Sequence, residues 1–229
     1  MDRIVILTGA GISAESGMGT FRGAGGLWEN KRVEEVATPE GFARDPALVH
    51  AFYNARRQKA ATVEANEAHR AIARLQRDYP GAVTLITQNV DALHEKGGSP
   101  QVIHMHGRLA GALCAACGHQ WEAPAEMHPG HPCPHCAAPA ARPDVVWFGE
   151  MPYQMDEIFE ALSTCTLFAA IGTSGQVYPA AGFVQQAYAA GAHTVEINLE
   201  PSAVVSAFAE TRFGPATQTV PQWVADLLP

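Results

Sequence analysis

Short apolar runs, each followed at once by small or polar residues, set the rhythm of this chain. Ile4-Val5-Ile6-Leu7 is too short for a helix and rich in β-branched residues, so it reads as a strand buried on both faces. Ala82-Val83-Thr84-Leu85-Ile86-Thr87, Gln101-Val102-Ile103-His104, Leu167-Phe168-Ala169-Ala170-Ile171 and Thr194-Val195-Glu196-Ile197-Asn198 repeat the pattern. Between them the spacing is helical. Pro39 and Pro46 stand where helices begin, and Phe42, Leu48, Phe52, Tyr53, Ala60 and Val63, then His69, Ile72 and Leu75, follow a loose amphipathic period up to the break at Pro80-Gly81. Further helices are expected around Ala180 to Ala190 and from Gln222 to Leu228, with a turn at Phe213-Gly214-Pro215-Ala216. Strands alternating with helices imply βαβ units and a parallel sheet.

Two segments stand outside that rhythm: the helical stretch around 35 to 70, and a later segment that holds most of the cysteines. The expected fold is therefore α/β, a Rossmann-like parallel sheet with a smaller domain made of a helical insert and the segment of Cys114, Cys117, Cys133 and Cys136, two C-x-x-C pairs spaced as in a four-cysteine zinc ribbon. The large domain is expected over 1–30, 70–107 and 143–229, and the small one over 31–69 and 108–142.

At 229 residues, 47% hydrophobic and 17% charged, the chain can bury a core without staples. Its formal net charge of −8 argues against nucleic acid and suits basic partners such as lysine-rich peptides. No apolar run reaches the roughly 20 residues that span a bilayer, so no membrane partner is expected. Only Met1, Asp2 and Arg3 precede the first strand, which leaves no room for a signal peptide, and a cytoplasmic monomer is expected.

The first strand runs into Thr8-Gly9-Ala10-Gly11. Glycines here let the backbone turn sharply and approach a ligand closely. Ser13, Glu15 and Ser16 are candidate caps for a following helix, and a strand, a glycine turn and a helix N-terminus together make an anion site. The dinucleotide fingerprint G-x-G-x-x-G is incomplete, because position 14 is Ala14. The run Gly23-Ala24-Gly25-Gly26 suggests a mobile loop over the ligand. Cys114-Ala-Ala-Cys117 and Cys133-Pro-His-Cys136 match a tetrahedral structural Zn²⁺ site with all four positions filled by protein. Redox use of one C-x-x-C pair is the rival reading. His119, His131 and His135 lie close enough to compete as ligands but read as solvated loop histidines, and Cys165 reads as a small core residue. Polar groups at the ends of strands, Asn89 and Asp91, Thr173 and Ser174, and His106, converge if those strands are neighbours. An imidazole near its ordinary pKa suits general-base work there, and His104, two residues earlier, is the rival to His106.

GAGISAESGMGTFR, TQNVDALH, HMHG, the two C-x-x-C pairs, GTS and INLE stand in the order and spacing of a known family. Over essentially its whole length the chain resembles the sirtuins, NAD-dependent protein lysine deacylases. The resemblance implies that Gly9, Ala10, Phe21 and Arg22 belong to the cofactor loop, with Ala10 and Gly11 near the pyrophosphate. It implies that Gln88 and Asn89 hold the nicotinamide ribose, with Asn89 part of the catalytic centre, and that Asp91 anchors the nicotinamide amide. His106, directly before a glycine, matches the catalytic base in preference to His104. Gly172, Thr173, Ser174, Asn198 and Glu200 match phosphate and adenosine-ribose contacts, and Ala216 falls where the family meets the adenine. Val146, Phe148, Gly149 and Glu150 lie in the segment Val146 to Glu150, which matches the one that pairs with substrate backbone as an added strand. The implied reaction consumes NAD and yields nicotinamide, 2′-O-acyl-ADP-ribose and free lysine.

Tyr53 and Arg56 lie three apart on an expected helix and share a face. Tyr-x-x-Arg resembles the sirtuin class that removes succinyl and malonyl groups: Arg56 offers a planar fork to a carboxylate and Tyr53 adds a hydroxyl. Ala24 matches a position that this class keeps small. The bland alternative is one core aromatic and one solvated arginine, and Arg57 is the neighbour expected to be solvated. Competing functions are protein ADP-ribosyl transfer at the same site, a non-catalytic NAD sensor and a zinc-ribbon nucleic-acid module. Intact His106, Asn89 and Asp91 favour deacylation, and the negative charge disfavours the last.

Overall fold

A computed structural model describes residues 2–19, 27–28 and 31–228. The expectations placed on Phe21, Arg22 and the Gly23–Gly26 run, with Ala24, lie outside the described residues.

Strand β1 (Arg3–Thr8) is the middle of the molecule, and all but its first residue is buried. Alternation explains why it is apolar throughout. Ile4 and Ile6 face one hydrophobic cluster, which holds residues such as Ile72, Leu75, Val220 and Trp223. Val5 and Leu7 face the other, with Ile158, Leu162, Phe183 and Val184. The chain leaves β1 through a single helical turn, α1 (Gly11–Ala14), and a short hairpin of β2 (Leu27–Trp28) and β3 (Lys31–Arg32). Helices α2 (Val33–Val36), α3 (Pro39–Arg44), α4 (Pro46–Thr62) and α5 (Glu67–Asp78) follow. Thr38 caps α3 and Asp45 caps α4, each ahead of a proline in the first turn, as the positions of Pro39 and Pro46 suggested.

Next come β4 (Ala82–Thr87), the turn α6 (Leu93–Lys96) and β5 (Ile103–His104). The strand expected from Gln101 is thus shorter, and only Ile103 and His104 pair with β4. Where the zinc ribbon was expected, an antiparallel ribbon is formed by β6 (Gly107–Cys114), β7 (Gln120–Glu122) and β8 (Ala141–Val145). The chain then returns through α7 (Met155–Thr164), β9 (Leu167–Ile171), α8 (Phe183–Ala189), β10 (His193–Asn198), β11 (Glu210–Phe213) and α9 (Ala216–Leu227). Among the described residues the main sheet has the order β11-β10-β9-β1-β4-β5, with every pair parallel. From β1 the chain builds outward to β4 and β5, then returns to the other side of β1 for β9 to β11. That reversal opens a crevice beyond the carboxyl ends of the central strands.

A third cluster packs α2 and α4 (Val33, Val36, Val49, Tyr53) against Leu109, Val145 and Trp147 of the ribbon region. A small fourth one holds Ala112, Met127 and Ala141, with Trp121 and Ala123 packed against it. Helix α9 starts at Ala216 rather than Gln222 and runs through Pro221. Its first turn is held from across the crevice, where the Glu15 carboxylate accepts from the Thr217 N–H at 2.9 Å and from its hydroxyl at 2.7 Å. Glu15 therefore caps α9, not the short α1, whose start has no side-chain cap. No described helix is long and apolar enough to cross a membrane.

Candidate active site

The floor of the site is backbone meeting backbone. Gly9 N–H donates to Ile171 O at 2.9 Å, Gly11 N–H to Gly172 O at 2.9 Å, and Gly172 N–H to Ile197 O at 3.0 Å. A Cβ on Gly11 would stand 2.7 Å from Gly172 Cα, and one on Gly172, at φ +63°, 2.5 Å from Ile12 N. These glycines are needed first to let the β1 and β9 turns touch, whatever else they admit.

Above that floor is a cleft of ≈ 1210 Å³. It is larger than the roughly 300–1,000 Å³ of ordinary small-molecule pockets. From the β1 side it is lined by Gly9, Ala10 and Gly11, and from the β4 side by Gln88, Asn89, Asp91 and His106. Gly172, Thr173, Ser174, Asn198, Glu200 and Ala216 close the opposite wall. Tyr53 and Arg56 enter from α4, and Val146, Phe148, Gly149 and Glu150 from the loop after β8. Every residue assigned to nucleotide or substrate from the sequence, among those described, thus lines one cleft.

His106 follows β5 and precedes Gly107, whose φ of +79° turns the chain into the ribbon. Its Nδ1 lies 3.1 Å from Gln88 O. A carbonyl only accepts, so Nδ1 carries the proton and Nε2 keeps its lone pair. Burial holds the imidazole below its ordinary pKa, against the opposing hydrogen bond to Gln88, so it is neutral at pH 7. His104 is placed differently. Its Nε2 meets Glu95 Oε1 at 2.6 Å and its Nδ1 faces Asn89 O at 3.3 Å, so both nitrogens face protein oxygens, and the residue does not line the cleft. Burial raises the Glu95 carboxyl, but the hydrogen bond from His104 prevails and holds it below the usual range.

Ser13 joins the polar groups. Its hydroxyl donates to Asp91 Oδ2 at 3.2 Å and accepts from Asn89 Nδ2 at 3.2 Å, while Asn89 Nδ2 also donates to Gly9 O at 3.1 Å. Asp91 Oδ1 accepts from Leu93 N–H at 3.0 Å. Burial raises the Asp91 carboxyl, and these hydrogen bonds only partly offset it. Behind Ser13 lie two fully buried histidines with rings 4.9 Å apart, His69 and His94. His94 Nε2 is 2.9 Å from Thr8 Oγ1. Burial lowers His69 to about 4 and His94 well below its ordinary range, so both are neutral. Sequence reading missed this supporting layer. Ser13 was visible only as a possible cap, and His94 only as the last letter of TQNVDALH.

Helix α4 presents Val49, Tyr53 and Arg56, at spacings of four and three, on its buried face. Tyr53 is 0% exposed and Arg56 only 4%, so the arginine is not solvated. Arg57 is also not solvated: it is half-buried and donates to Asn54 Oδ1. Asn54 sits between α4 and the ribbon, exchanging bonds with Met127 O at 2.9 Å and Met127 N–H at 3.0 Å. The loop after β8 is not a strand, because pairing stops at Val145. Its N–H groups are largely engaged within the protein, Val146 with His106 O, Trp147 with Glu150 Oε2 and Phe148 with Ala37 O.

The sulfurs of Cys114, Cys117, Cys133 and Cys136 lie within 4.8 Å of one another, with 3.7 Å between Cys114 and Cys136 and 3.8 Å between Cys117 and Cys133. A tetrahedron with Zn–S of about 2.3 Å has S···S edges of about 3.8 Å, so the four thiols fit Zn²⁺. They form no disulfide. His119 stacks on Trp121 and His135 rather than joining them.

A glycine-floored cleft at the switch point of a doubly wound parallel sheet, with a neutral imidazole in its wall, defines a nucleotide-using α/β enzyme fold. The chain belongs to the Sir2 family, the sirtuins, whose sequence profile matches residues 9–179. It is 56% identical over 228 residues to the NAD-dependent protein deacylase of Vibrio vulnificus (strain YJ016), covering 98% of this chain and 93% of that one. It is also 56% identical over 229 residues to the NAD-dependent protein deacylase of Escherichia coli (strain K12), covering 99% and 82%. Among solved structures, a Sir2 homolog–NAD complex superposes with a TM-score of 0.90 at 38% identity over 98% of this chain and 89% of that one. Sir2Af2 bound to a myristoylated histone peptide superposes at 0.74 and 32% identity, over 98% and 90%.

Proposed function

We propose that this chain removes acyl groups from protein lysines at the expense of NAD, giving nicotinamide, 2′-O-acyl-ADP-ribose and free lysine. NAD, when bound, supplies the ribose that accepts the acyl group. The observation that carries the reading is His106, with Nδ1–H committed to Gln88 O and a basic Nε2 in a cleft shared with Asn89 and Asp91. A neutral, oriented imidazole is equipped to take a proton from a ribose hydroxyl. Asn89 and Asp91, fixed through Ser13, present an amide and a carboxylate to the nicotinamide ribose and amide. Gly9, Ala10 and Gly11, facing Gly172, Thr173 and Ser174, leave backbone close to the pyrophosphate. Asn198, Glu200 and Ala216 take the adenosine end. Zinc held by the four cysteines is structural, since protein fills its coordination. A net charge of −8 supports basic, lysine-containing proteins over nucleic acid as partners.

Acetyl-lysine is one substrate, and Tyr53 and Arg56 support succinyl- and malonyl-lysine as others. A guanidinium brought to 4% exposure on the inner face of α4 lines the same cleft as His106. A buried acyl carboxylate needs such a partner. Mass spectrometry of acetyl-, succinyl- and malonyl-lysine peptides with and without NAD tests the whole reading, and NAD-independent or absent turnover would refute it. Label from NAD that stayed on protein would mean ADP-ribosyl transfer instead. Arg56→Met is expected to reduce the succinyl-to-acetyl ratio of kcat/KM by roughly tenfold or more, the worth of a charge-assisted hydrogen bond. An unchanged ratio would remove the acid-binding role.

A further inference from the structure

We infer that Trp147 is a positioning residue for acidic acyl groups, acting by orienting the Tyr53 hydroxyl. The inference rests on the proposed role of Tyr53 and Arg56 and extends it. The indole Nε1–H donates to Tyr53 OH at 3.0 Å, and both side chains are buried, Trp147 at 2% exposure.

A tyrosine hydroxyl has one proton and two lone pairs. Unanchored, it turns freely and serves as donor or acceptor. With one lone pair engaged by an indole that can only donate, its proton is directed elsewhere, which is the polarity that a carboxylate requires. Burial pushes the Tyr53 pKa up, so the proton stays on the oxygen.

The indole is itself immobilised. The Arg142 guanidinium stacks 3.5 Å from the ring centroid. Glu150 clamps that guanidinium, accepting from Nη1 at 2.5 Å and Nη2 at 2.9 Å, and its Oε2 also takes the Trp147 backbone N–H at 2.8 Å. The chain Glu150–Arg142–Trp147–Tyr53 therefore ties the loop proposed to receive substrate backbone to the hydroxyl proposed to read the acyl group. A phenylalanine at 147 would fill most of the same volume and lack the donor.

The test is a double-mutant cycle on succinyl- and acetyl-lysine peptides with NAD, using Trp147→Phe, Tyr53→Phe and the pair. Trp147→Phe is expected to lower the succinyl-to-acetyl ratio of kcat/KM by about five- to tenfold, chiefly through KM for the succinyl peptide. The double variant is expected to be no worse in that ratio than Tyr53→Phe alone. Equal losses on both peptides, or losses that multiply in the double variant, would overturn the inference.

In the unmodified protein, the Trp147 indole N–H resonance is expected to move further on adding succinyl-lysine peptide than acetyl-lysine peptide. Equal movement counts against the inference even if the Phe variant does not fold. Should Arg56→Met and Tyr53→Phe shift the ratio while Trp147→Phe does not, only this inference fails. Should none of them shift it, the Tyr–Arg reading fails and takes the inference with it.

Discussion

His106 and His104 are two residues apart, yet the fold gives them different jobs. His104 is consumed by Glu95 and Asn89 O, whereas His106 spends one nitrogen on Gln88 O and keeps the other. Replacing His106 by Ala is expected to cost at least about a hundredfold in kcat, the usual worth of a general base, with little change in melting temperature. Near-normal turnover would place the base elsewhere. Because burial lowers the His106 pKa, the acid limb of the kcat/KM profile should lie below about pH 6.5, the ordinary imidazole value. The types and order of these residues were legible in the sequence. The choice between the two histidines came from family resemblance, because strand alternation alone put both on one side. The turn at Met105, which separates them, is a tertiary matter. The same limit applies to Arg57, which donates to Asn54, itself bonded to Met127 of the ribbon region.

At the scale of elements, apolar runs with β-branched residues located β1, β4, β9 and β10 because burial on both faces leaves no other pattern. Short or half-exposed strands were harder. β11 has alternating exposure and β7 only three residues, so neither stands out from loop sequence. Helix α9 was expected from Gln222 but begins at Ala216, where its first turn is capped by Glu15, 202 positions from Thr217. The glycine turns give the sharpest element-level prediction. Gly172→Ala puts a Cβ 2.5 Å from Ile12 N at φ +63°, and should destabilise by more than about 1 kcal/mol. Thermal melting checks this, and an unaltered midpoint would show that the β1 and β9 turns have room to part.

Across the whole molecule, buried neutral imidazoles tie stability to pH. Burial holds His50, aided by Arg57, and His69 at about 4, below the roughly 6.5 of an unfolded chain. The unfolded chain therefore takes up protons that the fold refuses. Their contribution is complete above about pH 6.5, declines as pH falls toward 4, and levels off below. At pH 5 each histidine should account for roughly 2 kcal/mol. Urea unfolding at pH 7.5 and 5 measures it, and equal midpoints would contradict the burial of these rings. Zinc removal acts on the same scale. Among the described residues the hydrophobic cluster of the ribbon is small, Ala112, Met127 and Ala141 with Trp121 and Ala123 against them, too little to hold the ribbon without metal. A chelator should speed hydrogen exchange across 108–142 and, through Asn54 and Met127, in α4, while β1, β4 and β9 stay protected. Unchanged exchange in the ribbon would mean the metal is dispensable. By itself the sequence determined the α/β class, the central strands, the zinc ligands and the set of residues to watch, because burial, turn geometry and ligand chemistry are local demands written in residue type and spacing. Only the tertiary structure decided which side chains share the cleft, which histidine keeps a lone pair, what caps α9, and that Trp147 reaches Tyr53, because each depends on contacts between segments far apart in the chain, whose spacing carries no local period.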